Sequence, residues 1–143
     1  MDSTFGERLS DLMFERNIRS NELADAIGVN TSSVNDWKRG KFQMYLSNLI
    51  KVADFFNCSL DFLTGRSETP LDYTPKPRPQ FYQRFREVMN ERGKTRYRMT
   101  KDTRIKDSYF TEWNKGSDPH VVSLIEAADY LGVTLDYLVG RER

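Results

Sequence analysis

The chain has one cysteine, Cys58, and one histidine, His120. An internal disulfide and any multi-cysteine metal site are thereby excluded, and a Ser-His-Asp or His-rich metal site would have to be built around His120 alone. Apolar runs stop after a few residues, as at Val121-Val122, so no membrane span is expected. The opening Met-Asp-Ser-Thr has neither a basic n-region nor an apolar h-region, and no secretory signal is expected. Neither sign of charge prevails: 22 Lys and Arg face 21 Asp and Glu, a formal net charge of +1, so global charge does not advertise nucleic acid. Proline is scarce outside one stretch that holds four of the five. Aromatic residues, by contrast, make up 13% of the 143, too many for a disordered chain. These features favour an intracellular, non-enzymatic protein without metal or cofactor, built as one ordinary domain or two small ones.

Internal repetition decides between one domain and two. Phe5-Gly-Glu-Arg8-Leu9 recurs as Phe81-Tyr-Gln-Arg84-Phe85, Met13-Phe-Glu15-Arg16 as Met89-Asn-Glu91-Arg92, and Trp37-Lys-Arg-Gly40 as Trp113-Asn-Lys-Gly116, all 76 positions apart. Later matches lie 75 apart: Leu49-Ile50-Lys-Val-Ala53-Asp54 with Leu124-Ile125-Glu-Ala-Ala128-Asp129, and Leu60-Asp61-Phe62-Leu63-Thr-Gly65-Arg66 with Leu135-Asp136-Tyr137-Leu138-Val-Gly140-Arg141. The second copy has therefore lost one residue between Gly116 and Leu124. The expected domains are 1–66 and 81–143, joined by a Pro-rich linker at 67–80. Each unit is near the lower size at which a domain folds alone. Pro70, Pro75, Pro77 and Pro79 block helix and favour an extended linker path. From Arg66 to Gln80 that path would reach roughly 45 Å at about 3.1 Å per residue.

Each unit reads as five short helices. Phe5, Leu9, Leu12 and Met13 keep helical spacing, and Phe81, Phe85, Val88 and Met89 repeat it. Thr4 with Glu7 suggests a capping box for the first helix. Leu23, Ala24 and Ile27 mark a second helix that stops at Gly28. Asn30 is expected to cap a third running to about Arg39, with Gly40 as its stop. Leu46, Leu49, Ile50 and Ala53 form the inner face of a fourth, and Ser59 caps a short fifth that contains Leu60 and Leu63 and ends at Gly65. No alternating strand pattern competes, so the fold class is all-α.

The second and third helices of the first unit have the grammar of a helix-turn-helix. Ala24 gives a small contact at a close helix crossing, Gly28 permits a left-handed turn, and Val29 and Val34 pin the third helix to the core. Such a third helix is held out to enter a DNA major groove. Arg8-Leu9, Leu23-Ala24 through Ile27-Gly28-Val29, Trp37-Lys-Arg-Gly40 and Ser59-Leu60-Asp61-Phe62-Leu63-Thr-Gly65 together resemble the Cro/lambda-repressor-type helix-turn-helix, the XRE family. The likeness covers residues 4 to 66. It implies two tandem five-helix lambda-repressor-like domains, the second degenerate, with Asn30 to Lys38 as the first recognition helix. The implied DNA contacts of the first unit are Asn30, Thr31, Ser32 and Asn35 toward bases, with Asp36 nearby and Lys38, Arg39 and Lys41 toward phosphate. Asn suits adenine, and Ser or Thr suits either kind of base edge. Ser20 stands where the family often has a phosphate-touching Gln, and its shorter side chain is expected to reach less far. Trp37 is expected to be a packing anchor.

The second unit departs from the pattern in its turn. Thr100, Thr103 and Arg104 replace Ala24, Ile27 and Gly28, and a left-handed Arg104 would cost roughly 1–2 kcal/mol, so a reshaped turn is expected. Tyr109 and Phe110 replace Ser33 and Val34. Arg92, Lys94, Arg96, Arg98, Lys101, Arg104 and Lys106 crowd this region, with Asp102 as the opposing charge. Arg96, Arg98 and Lys106 are expected at phosphate, and Ser108, Thr111 and Lys115 at bases. Formal charge divides as −2 for residues 1–70, +1 for 71–80 and +2 for 81–143. The first unit would then supply more of the specificity and the second more of the affinity.

The expected function is a sequence-specific, double-stranded-DNA-binding transcriptional regulator, a repressor of phage or prophage type. It would be bacterial or phage-encoded, cytoplasmic and nucleoid-associated. The linker would span half-sites about 34–36 Å apart. The rival expectation makes the first unit the sole DNA reader. The second would then be a homodimerisation or protein-partner module, as in an antitoxin-like regulator, presenting Tyr97, Tyr109 and Phe110. His120 is expected to be a cap or surface residue and Cys58 to be buried packing.

Overall fold

In a computed structural model of the chain, the described residues are 3–40, 44–70 and 78–142. Lys41 and residues 71–77 of the expected linker lie outside them. The chain divides into two compact units, Met1–Thr74 and Pro75–Arg143. The first holds α1 (Ser3–Glu15), α2 (Ser20–Ile27), α3 (Thr31–Arg39), α4 (Leu46–Phe56) and α5 (Leu60–Leu63). The second holds α6 (Phe81–Glu91), α7 (Arg96–Asp102), α8 (Asp107–Asn114), α9 (Val121–Leu131) and α10 (Leu135–Val139). Among the described residues there is no strand, and no helix is long and apolar enough to cross a membrane.

The core of the first unit gathers the apolar faces anticipated from helical spacing. Phe5, Leu9, Leu23, Val34, Val52, Ala53, Leu60 and Leu63 are sealed from solvent, and Trp37 and Cys58 are buried with them. Two capping expectations change. Thr4 is not a cap, because α1 is already helical at Ser3. Asn30 occupies the N-cap position of α3, but its side chain makes no capping bond. Ser59 does cap α5, accepting from the Phe62 N–H at 3.0 Å.

The arginine of the first helix proves structural in both units. Arg8 donates to the Phe62 and Ser67 carbonyls, with its guanidinium 4.4 Å from the Phe62 ring centroid. Arg84 repeats this: Nε and Nη2 donate to the Tyr137 carbonyl at 3.1 and 3.0 Å, again over the ring at 4.4 Å. The last helices end alike, on the ion pairs Asp61–Arg66 and Asp136–Arg141.

The seam between the first and third helix of each unit is where the copies differ. A Cβ on Gly6 would lie 2.6 Å from the Lys38 carbonyl oxygen and 2.7 Å from that of Trp37, so α1 and α3 touch backbone to backbone. The second unit has Tyr82 at this register, Phe85 for Leu9 and Phe110 for Val34. With Trp113 they form an aromatic cluster, Phe85 lying 5.9 Å from Phe110 and 5.4 Å from Trp113 between centroids.

Candidate nucleic-acid interface

The turn between α2 and α3 is set by Gly28, which is left-handed at φ 76°. Its N–H and that of Val29 both bond the Ala24 carbonyl, at 2.9 and 3.0 Å, which ends α2. Leu23, Ala24 and Val34 are buried at this crossing, while Val29 is half-buried. At the other end of α2, the Glu22 carboxylate accepts from the Arg19 N–H at 3.0 Å. Arginine cannot accept in return, so only half of a capping box forms.

With Val34 and Trp37 facing inward, helical periodicity turns Asn30, Thr31, Ser32 and Asn35 outward. Asn30, Thr31 and Ser32 are exposed and Asn35 half-buried. Among the described residues, none of these four side chains is committed to an internal hydrogen bond. Lys38 swings beside the start of α2, its Nζ donating to Ser20 Oγ at 3.4 Å. The short Ser20 is thus joined by a cation from the neighbouring helix. Arg39 pairs with Asp36 at 3.0 Å on the exposed surface. The positive end of α3 is therefore Lys38 more than Arg39.

In the second unit the turn is built differently. Arg104 is not left-handed, so the strain expected there is absent. Thr103 is extended at φ −129°, ψ 176°. Its hydroxyl donates to the Met99 carbonyl at 2.6 Å and accepts from the Ile105 N–H at 3.1 Å. The Glu126 carboxylate of α9 takes the Arg104 N–H at 2.7 Å. Ile105, in the register of Val29, is buried.

The face of α8 is also organised differently. Arg96, the first residue of α7, donates from Nε to Asp107 Oδ1 at 2.7 Å. Its Nη2 donates to the Asp107 carbonyl and to Thr111 Oγ1, both at 2.9 Å. The carboxylate bond raises the Arg96 guanidinium further above its ordinary value. Arg98 pairs with Asp102 at 2.9 Å, Lys101 lies over Tyr97, and Lys115 sits 3.8 Å from Glu112. Lys106 and Ser108 are exposed. The basic segment is thus opposed by Asp107 as well as Asp102. Asp107 is not among the residues expected at DNA, although it stands 76 positions after Thr31 and eleven after Arg96, as Thr31 stands after Ser20. Tyr130 Oη donates to Asp102 at 2.6 Å, which holds that carboxyl below the usual carboxylate range, with Arg98 adding to the effect.

Phe110 is fully buried and so drops out of the aromatic face expected from Tyr97, Tyr109 and Phe110; Tyr109 is half-buried and Tyr97 exposed. His120 is the N-cap residue of α9.

Two helices crossing at Ala24, joined by a left-handed glycine and presenting an uncommitted polar row, define a helix-turn-helix domain. Residues 8–63 match the family model of the Cro/C1-type helix-turn-helix DNA-binding domain. The match lies within the first unit and supports a helix-turn-helix of Cro/C1 type there. No curated protein and no solved structure matches the chain.

Proposed function

We propose that the chain is a sequence-specific, double-stranded-DNA-binding transcriptional regulator of phage- or prophage-repressor type, with α3 reading bases in a major groove. The observation that carries this reading is the uncommitted row Asn30, Thr31, Ser32 and Asn35 on α3. Buried polar groups find partners within the fold, whereas an outward row left without any is chemically ready for base edges. Lys38 and Ser20, brought together at the rim, supply phosphate contact, Arg39 adds charge at the end of α3, and Lys41 follows it in the sequence.

The domains are 1–66 and 81–143, and the linker at 67–80 lets one chain place α3 and α8 on one operator. Its reach of roughly 45 Å exceeds the spacing of half-sites about 34–36 Å apart. Because α3 and α8 carry different outward side chains, the two half-sites are non-identical. Selection of bound duplexes from a random pool by the full chain tests the reading. It is supported by an enriched bipartite, asymmetric site, and overturned if no sequence is enriched over bulk DNA.

A further inference from the structure

We infer that Asp107 is the specificity-determining residue of the second unit and reads cytosine. The inference rests on the proposal that both units sit on DNA. Asp107 opens α8 as Thr31 opens α3, in the same repeat register, and so faces where α3 presents its base-reading row. Its side chain is 73% exposed. A lone carboxylate there would be repelled by the phosphates. Arg96 removes that obstacle: one carboxylate oxygen, Oδ1, takes the Arg96 Nε–H at 2.7 Å, and the ion pair is neutral overall. Among the described residues, Oδ2 carries no hydrogen bond.

The guanidinium is itself held by the Asp107 carbonyl and Thr111 Oγ1, and its Cζ lies 5.2 Å from the Phe110 centroid. The carboxylate is thereby fixed in direction before DNA arrives, which limits the entropy lost on binding. An ionised carboxylate only accepts hydrogen bonds. Among base edges in the major groove, cytosine offers its N4 amino group and neither G nor T offers a donor. Adenine N6 is a donor too, but its neighbour N7 is an acceptor that repels the carboxylate. The chemistry therefore selects cytosine. Thr111, spent on Arg96, acts as a positioning residue rather than a base contact.

The test uses the full chain and duplexes in which each position of the selected site is changed in turn. The intact protein is expected to show one position, in the half-site not governed by Asn35, where replacing C weakens binding about tenfold or more. Asp107→Ala is expected to erase that preference while leaving the other half-site unchanged. Asp107→Asn is expected to turn it toward adenine, since Asn pairs with A N6 and N7. Circular dichroism of both variants checks that the helices are retained. An unchanged base preference in both variants overturns the inference, as does a uniform gain in affinity for all duplexes with Asp107→Ala. Asn35→Ala run in parallel keeps the two claims apart. If it abolishes selection in one half-site and Asp107→Ala changes nothing, α3 reads DNA and Asp107 does not. If neither variant alters any preference, the reading of α3 fails as well.

Discussion

At the scale of single residues, side chains that look alike in the sequence divide into those that hold the fold and those that face outward. Arg8 and Arg84 are spent on carbonyls of the last helix, and Arg39 on Asp36, whereas Asn35 has no such engagement among the described residues. Asn35→Ala is expected to weaken binding to the selected site by about 1–3 kcal/mol while leaving non-specific binding unchanged, as read by titration against cognate and scrambled duplexes. Asp136 gives the opposite case. Its side chain is wholly buried and that of Arg141 is 3% exposed. Removing the carboxylate strands a buried guanidinium, so Asp136→Ala is expected to cost about 3–5 kcal/mol in chemical denaturation. The repeat placed Asp136 and Arg141 in register with Asp61 and Arg66, but spacing along the chain does not reveal that each pair closes on itself. The same limit hid Asp107. Its partner Arg96 lies across a turn, and charge counting over a continuous segment set Asp107 apart from the basic run that it neutralises. Asn30 was legible as an N-cap by position, yet not the freedom of its side chain.

Between elements, the decisive contacts are a missing side chain and a shared hydroxyl. Gly6 lets α1 lie directly on the last turn of α3. Gly6→Ala is expected to push α3 outward, costing about 1–3 kcal/mol of overpacking. Thermal unfolding and duplex titration should both register it, because the displaced helix is the reading helix. The exchange of Gly6 for Tyr82 was visible in the repeat, but sequence alone does not say which face of a helix meets another backbone. Helix existence and order were legible because apolar spacing is local. The second turn was legible as altered, while its solution through Thr103 and Glu126 was not, since Glu126 comes from α9. A second hydroxyl bond links elements of that unit. Tyr130 of α9 and Arg98 hold the Asp102 carboxyl of α7 below its ordinary value. A carboxyl whose folded value lies below its unfolded one stabilises the fold above about pH 4, and that contribution is lost as pH falls through the folded value. Tyr130→Phe is expected to raise the Asp102 midpoint, followed by the carboxyl carbon shift in NMR titration. It is also expected to move the start of acid unfolding to higher pH.

For the whole molecule, a net charge of +1 hides a division between a first region at −2 and a last region at +2. Ion pairs temper that division further: Arg96 and Arg98 are each tied to a carboxylate, and Lys101 rests on an exposed Tyr97. Arg96 is held at three points, whereas the exposed Arg98–Asp102 pair is weak and exchanges readily for another partner. A phosphate approaching α7 competes with Asp102 for Arg98, and displaces nothing charged at Lys101. If the second unit lies on DNA, each phosphate neutralised steepens the fall of log affinity with log salt by about 0.9. Replacing Arg96, Arg98 and Lys101 together by Ala is expected to flatten that slope by one contact or more. Base preference in the half-site read by α3 should persist, because Asn35 and Lys38 belong to the other unit. The slope is measured with the selected duplex from low to physiological salt. An unchanged slope would place the second unit off the duplex and leave affinity as well as specificity to α3 and its rim. In that case the weakly bound cations of α7 would face another partner, and the duplex protected by the full chain would shrink to one half-site.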